Sequence, residues 1–274
     1  MRIDQLLVQR QLASTRSQAQ RLIADGVEWL HGDVWRRVAK NGDEVPDEAQ
    51  IRLLDDAEAR YVSRGGLKLE AALRSVGLSV EGWQCLDVGQ STGGFTDCLL
   101  RHGAVRVVGI DVGSAQLHPR LRTDSRVLCV EKVNARALTA DDLVEAYDHS
   151  VGADGLFDEV DTGDEPSGSD FVPAFDLIVA DLSFISQTLV LPAVVPLLKP
   201  GGWLLSLVKP QFELQPGQVG KGGIVKDAAL YALVEQRLRD ACAALGLRVT
   251  HWFDSPIAGG DGNREFFICA RAPL

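Results

Sequence analysis

From residue 60 onward, short apolar runs alternate with segments long enough for helices, and this alternation constrains the fold more than any other feature of the chain. The runs are CLDVG (85–89), VRVVGIDVG (105–113), RVLCVE (126–131), FDLIVADLSF (175–184) and GGWLLSLVKP (201–210). They are apolar along most of their length rather than at every second residue, the pattern of strands buried on both faces. Such strands separated by helices imply a parallel sheet with helices on either side. A last helix, AALYALVEQRLRDACAAL (228–245), precedes two more strand candidates, LRVTHWFD (247–254) and REFFICARA (264–272), which read as a hairpin-like pair. No internal repeat is found.

The 274 residues suffice for two modest domains. Hydrophobic content of 46% and charged content of 24% are those of an ordinary globular protein. The longest apolar run, LVLPAVVPLL (189–198), is too short to span a bilayer and is broken by two prolines. The charges in MRIDQLLVQRQ interrupt any signal-peptide core, so a cytoplasmic protein is expected. Cys85, Cys98, Cys129, Cys242 and Cys269 form no CxxC pattern and read as buried thiols, with neither metal nor disulfides expected. The net charge of −10 is unevenly spread. Residues 141–176 hold twelve Asp or Glu and no Lys or Arg, which leaves +2 on the remainder. Within that block, about residues 150–172 are rich in Gly, Ser and Asp, the composition of a solvated, mobile insertion without a catalytic role. Overall acidity therefore does not exclude a nucleic-acid partner.

The first 59 residues have a different texture. Ile3, Leu6, Leu7 and Leu12 fall at helical spacing, and Ser14 or Thr15 can cap a second helix, RSQAQRLIADG, that stops at Gly26. VEWLHGDVWRRV alternates, turns at His31-Gly32 and alternates again as a hairpin would, and AQIRLL supplies a further strand. This segment resembles the S4 RNA-binding domain, with His31 where the turn usually has Asn. Residues 1–41 carry seven Lys or Arg against four acids. The resemblance implies that the second helix and hairpin lie along structured RNA, so Arg2, Arg16, Arg21, Arg36, Arg37 and Lys40 are phosphate-contact candidates. Any one of them could equally be a solvated surface charge.

LDVGQSTGGFTD (86–97) is a strand, a glycine-rich turn and the start of a helix. Such a turn lets a ligand approach the backbone closely, with helix N-terminal amides nearby. The spacing is G-x-x-x-G-G rather than G-x-G-x-x-G, which disfavours an NAD enzyme. Seven strands with a late paired couple fit a Rossmann-type methyltransferase, and hence S-adenosylmethionine. The cofactor candidates in the loop are Gly89, Ser91, Thr92, Gly93, Gly94 and Phe95. Asp111 ends the second strand, where a carboxylate accepts from ribose hydroxyls. Asp87 could meet the cationic amino-acid end or brace the loop, Asn134 and Ala135 could read the adenine edge, and Asp181 ends the fourth strand. Helix capping is the plainer alternative for Asp87 and Asp111.

Lys209 at the end of SLVK is the puzzle, because lysine is rarely buried without purpose. Asp181 ends the fourth strand and Lys209 the fifth, on the same edge of a parallel sheet, Glu265 begins the last strand, and Lys68 lies on an amphipathic helix before the sheet. Spacing alone does not assemble these four. The motifs SRGG-x-KL, DVG-x-STGGFTD, DLSFIS, LVKPQFE, GKGGIVKD and GN-x-E-F-F together resemble the TlyA, or hemolysin A, family of ribosomal RNA methyltransferases, which join an S4 domain (here 1–59) to an FtsJ-like core (60–274). The resemblance implies 2′-O-methylation of ribose and a catalytic Lys68, Asp181, Lys209 and Glu265. Lys209 would accept the hydroxyl proton in its neutral form, or stabilise the developing alkoxide in its charged form. Gln90, the AGGDGN turn and the acidic insertion depart from the family pattern. The lack of a basic extension before MRIDQLL resembles the family's shorter forms, which implies a cytidine of 23S rRNA in the 50S subunit. A non-catalytic RNA-binding protein and a membrane-active haemolysin are the rival readings, the latter disfavoured because no span is visible.

Overall fold

Two sheets account for the two textures. The computed structural model describes residues 1–13, 15–54, 60–153, 171–257 and 262–274. Ser14, most of the acidic insertion (154–170) and the expected 59/60 boundary with its flanking residues 55–59 fall on or against positions outside that set.

The first unit contains helices α1 (Ile3–Gln9) and α2 (Arg16–Gly26) over a three-stranded antiparallel sheet. Its strands are β1 (Val27–His31), β2 (Val34–Arg37) and β3 (Ile51–Leu53), in the order β2-β1-β3. Thr15 caps α2 by accepting from the Gln18 N–H at 3.2 Å, which satisfies one of the donors a helix start leaves free. Ile3, Leu6 and Leu7 on α1 meet Ala19, Leu22 and Ile23 on α2 in a small core, and Leu12 is only half-buried at its rim. The hairpin turns one residue later than expected. His31 pairs with Val34, so Gly32 and Asp33 form the turn and His31 instead lies edge-on to Trp29, 5.0 Å between ring centroids.

Asp4 is the exception to that apolar core, with no exposed surface. Its carboxylate accepts from Arg2 at 3.0 and 3.1 Å and from Arg16 at 2.8 Å, so one buried charge fastens the chain start to α2.

The second sheet has seven strands, β4 (Gln84–Val88), β5 (Arg106–Asp111), β6 (Val127–Glu131), β7 (Phe175–Asp181), β8 (Leu198–Val208), β9 (Arg248–Asp254) and β10 (Phe266–Arg271). Their order is β6-β5-β4-β7-β8-β10-β9, with β4 to β8 parallel and β10 antiparallel to both of its neighbours. Successive residues feed two cores. Leu86, Val88, Val108, Ile110, Ile178 and Leu204 lie on one face, under Val190, Leu191 and Val194 and under Val234 and Leu238 of a late helix. Cys85, Val107, Leu177, Val179, Leu205 and Phe267 lie on the other, under Leu69 and Leu73 of one helix and Phe95 and Leu99 of the next. Burial on both faces is why the runs are continuously apolar. The covering helices are α3 (Arg64–Val76), α4 (Gly94–Arg101), α5 (Pro119–Arg122), α6 (Ala140–Ala153), α7 (Leu191–Val194), α8 (Pro210–Glu213) and α9 (Ala229–Ala244). Four cysteines are buried as expected, but Cys129 is only half-buried, on the outer parallel strand β6. Among the described residues no helix is long and apolar enough to cross a membrane.

The Arg2 and Arg16 hydrogen bonds hold the Asp4 carboxyl at about 2, below its ordinary value. A depressed carboxyl stabilises the fold above pH ~4 and loses that contribution as pH falls towards 2. Because both arginines are about half exposed, we expect Asp4→Asn to cost about 1–2 kcal/mol at pH 7. Chemical denaturation of both proteins as a function of pH should show the gap closing between pH ~4 and ~2.

Candidate active site

The parallel order reverses between β4 and β7, and a crevice opens at the carboxyl ends of the strands beside such a switch point. Two cavities meet there. The larger, about 630 Å³, is lined by Asp111, Asn134, Ala135, Arg136, Leu182 and Phe184 among others. The smaller, about 170 Å³, is lined by Asp87, Gln90, Thr92, Gly94, Phe95 and Lys209 among others. Gly89, Ser91, Asp181 and Ser183 belong to both walls.

The glycine loop is shaped by its sequence. Gly89 and Gln90 both donate their N–H groups to the carbonyl of Ile110, at 2.9 and 3.0 Å, tying the loop to β5. Gly89 has φ +83°, and a Cβ there would stand 2.8 Å from the carbonyl oxygen of Asp181, so both conformation and space require glycine. Gly93 lines neither cavity. Its missing side chain makes room for Leu117 and Leu121.

Gln90, the departure from the family pattern, turns inward. It fills the space over Gly109 and donates to the Thr96 hydroxyl at 2.9 Å, which donates in turn to Asp87 Oδ2 at 2.7 Å. Asp87 is fully buried on β4, its Oδ1 has no hydrogen-bond partner, and burial pushes its carboxyl up to about 7. An orphaned buried acceptor on a cavity wall suits a cationic ligand group. Asp111 accepts from the Ser91 N–H and the Gly113 N–H, both at 2.7 Å, one on each oxygen. Its remaining lone pairs are available to hydroxyls. Asn134 caps the short turn Ala135–Ala137 by accepting from the Arg136 N–H at 3.1 Å.

The four candidate catalytic residues form two ion pairs. Lys209 Nζ lies 2.6 Å from Asp181 Oδ1 and donates to the Ser183 hydroxyl at 2.9 Å. Lys68, on α3, donates to Glu265 Oε2 at 2.5 Å. Register relates the pairs. Phe266 stands opposite Val208 in the antiparallel β10–β8 ladder, so the next rung sets Glu265 level with Lys209. Lys209 sits just past the end of β8, with its side chain 14% exposed, and Glu265 just before β10.

Ser183 and Phe184 were missed as site residues, although both stand in the DLSFIS motif. Phe184 is 91% exposed at φ +64° and packs on Phe212 with ring centroids 5.0 Å apart. An exposed aromatic face beside the crevice can stack a nucleobase.

The basic candidates are divided. Arg2 and Arg16 are held by Asp4 and Arg21 is half-buried, whereas Arg36, Arg37 and Lys40 are exposed. Arg37 and Lys40 line a concavity of about 580 Å³ between the end of α2 and the segment after β2. Among the described residues no cluster of His, Cys, Asp and Glu could hold a metal ion.

Residues 61–272 match the FtsJ-like methyltransferase family and residues 1–26, the two N-terminal helices, match the S4 domain. The chain is 38% identical to the 16S/23S rRNA (cytidine-2′-O)-methyltransferase TlyA of Mycobacterium tuberculosis, over 98% of this chain and 89% of that protein. It is 29% identical to the 23S rRNA (cytidine-2′-O)-methyltransferase TlyA of Campylobacter jejuni, over 97% of this chain and 98% of that protein. A solved structure from Streptococcus thermophilus, provisionally labelled a hemolysin, is 35% identical with a TM-score of 0.69, covering 100% of this chain and 88% of that one.

Replacing Gly89 by alanine adds about 1–2 kcal/mol of left-handed backbone strain to the collision with the Asp181 carbonyl. Chemical denaturation of Gly89→Ala against the wild type should show at least that loss of folding stability, about 1–2 kcal/mol.

Proposed function

The chain belongs to the TlyA family of FtsJ-like methyltransferases, and on that premise we propose that it transfers the methyl group of S-adenosylmethionine to the 2′-hydroxyl of a cytidine in 23S rRNA. The observation that carries the reading is the Lys209–Asp181 pair on the wall of the smaller cavity, next to the cleft that suits the cofactor. We divide the chain into an S4 unit, 1–59, that grips RNA and a catalytic unit, 60–274. The place of action is the cytoplasm, where ribosomes are assembled.

The residues present fit S-adenosylmethionine. Asp87 Oδ1 is a buried acceptor without a partner, suited to the ammonium of the methionine end, and a side chain at Gly89 would fill the cradle. Ser91, Thr92, Gly94 and Phe95 would hold the same end, Asp111 the ribose hydroxyls, and Asn134 with Ala135 the adenine. When bound, the cofactor supplies an electrophilic methyl group on a sulfonium.

A ribose hydroxyl is a weak nucleophile, and the chain's own residues prepare it. Lys209, oriented by Asp181 and Ser183, takes the hydroxyl proton when neutral. When charged, it holds the hydroxyl and stabilises the alkoxide as it forms. Lys68, neutralised by Glu265, completes the constellation at the level of Lys209. Arg36, Arg37 and Lys40 supply phosphate contacts, with Arg2, Arg16 and Arg21 beside them. 23S rRNA is the substrate named for both relatives, whereas 16S rRNA is named for one. An RNA-binding protein without catalysis leaves the paired lysines unexplained, and a membrane-active haemolysin finds no spanning helix among the described residues.

Labelled methyl transfer to unmodified 50S and 30S subunits, assayed separately and digested to nucleosides, tests the reading. Label should appear in 2′-O-methylcytidine from 50S, and no transfer to either subunit would leave only RNA binding. Lys209→Ala should lose about 10²–10⁴-fold in rate while binding cofactor as the wild type does.

A further inference from the structure

The motifs DLSFIS and LVKPQFE are separated in sequence yet interlock rung by rung. Asp181 and Ser183 engage Lys209, Phe184 packs on Phe212, and Ser186 and Gln187 engage Glu213. The last rung is buried. Glu213, 2% exposed at the end of α8, accepts from the Ser186 hydroxyl at 2.5 Å and from the Gln187 N–H at 2.8 Å. Gln187 is also buried and continues the brace into β8. Its Nε2 donates to the Leu207 carbonyl at 2.7 Å, and its Oε1 accepts from the Ser206 hydroxyl at 2.9 Å. From the other side an Arg237 guanidinium donates to the Glu213 backbone carbonyl.

We infer that Glu213 is a positioning residue for methyl transfer: by locking the segment after β7 to the segment after β8, it sets the separation and orientation of Asp181 and Lys209. The inference rests on the role given to Lys209 above. The β7–β8 ladder reaches Asp181, opposite Leu207, and its described rungs stop there, so Ser183 and Lys209 lie beyond it. Beyond that rung, the approach of Lys209 to Asp181 and Ser183 is held by whatever ties the two segments together. The exposed Phe184–Phe212 contact is accessible to solvent, whereas the Glu213 rung is not. A carboxylate suits the task, because it accepts from a hydroxyl and a backbone N–H at once, and an apolar residue would leave the buried Gln187 N–H without a partner. Burial pushes the Glu213 carboxyl above its ordinary value, a sign that the fold tolerates a buried acid to keep these bonds.

The test compares Glu213→Ala, Glu213→Gln and Ser186→Ala with the wild type, in labelled methyl transfer to 50S subunits across pH and in cofactor binding by calorimetry. A misplacement of about 1 Å in a catalytic group costs about 10²-fold, and that is the loss of kcat expected for Glu213→Ala. Cofactor Kd and apparent KM for the subunit should stay within about threefold, since no interaction uniform to ground and transition states is removed. Glu213→Gln keeps an acceptor for the Gln187 N–H and should recover part of the rate. The pH–rate profile of Glu213→Ala should be displaced along the pH axis, because the surroundings of Lys209 change, which a merely structural defect would not do. Folded variants that match the wild-type kcat would overturn the inference, as would a loss of rate with an undisplaced profile. Should Glu213→Ala fail to fold by circular dichroism, Glu213→Gln and Ser186→Ala decide the same comparison. A wild type that transfers no methyl overturns the functional reading itself, whereas transfer by wild type and variants alike overturns this inference alone.

Discussion

The antiparallel insertion of β10 between β8 and β9 is the constraint on which the geometry of the candidate site depends. In an all-parallel sheet every strand would deliver its carboxyl end to the crevice, and a residue preceding a strand would lie at the opposite edge. Because β10 runs the other way, its amino end arrives at the crevice and sets Glu265 level with Lys209. Lys68 then reaches Glu265 from the helix that covers the adjoining face. The four charges thus converge through the β7–β8 and β10–β8 ladders and one covering helix, and each lysine has a carboxylate within ion-pair distance. Pairing is what makes burial of these charges tolerable.

The glycine-loop side of the crevice is governed by backbone space. Gly89 yields room at the Asp181 carbonyl, Gly93 yields room to Leu117 and Leu121, and Gly109 yields room to Gln90. The last exchange explains how a large side chain occurs in a glycine-rich loop. Gln90 is folded back over β5, where its amide supports Thr96 and, through it, Asp87. The loop keeps its path because the extra volume is taken up behind it.

The N-terminal unit shows how a small core can use a charge. Arg2 and Arg16 read in sequence as RNA contacts, and both are tied to the buried Asp4. The two uses are compatible, since each guanidinium remains about half exposed and has more donors than Asp4 can accept. Their orientation is set by the fold, whereas Arg36 and Lys40 are exposed beyond β1.

Sequence by itself determined the parallel sheet, the paired final strands and the chemical type of each candidate site residue. Continuous apolar runs admit burial on both faces, and glycine loops and charged strand ends can be read locally. It also pointed to Asp87, Asp111, Asp181 and Lys209, since each sits at or beside a strand end. What it left open was convergence. Lys68 and Glu265 are 197 positions apart, and no local periodicity relates them. Only the strand order and the β10–β8 register make them neighbours. The same holds for Glu213, which looks like one more charge after a strand until the tertiary structure buries it against Ser186 and Gln187. Local propensity acts over a few residues, whereas these contacts exist only once the sheet has closed and burial has removed water as the competing partner.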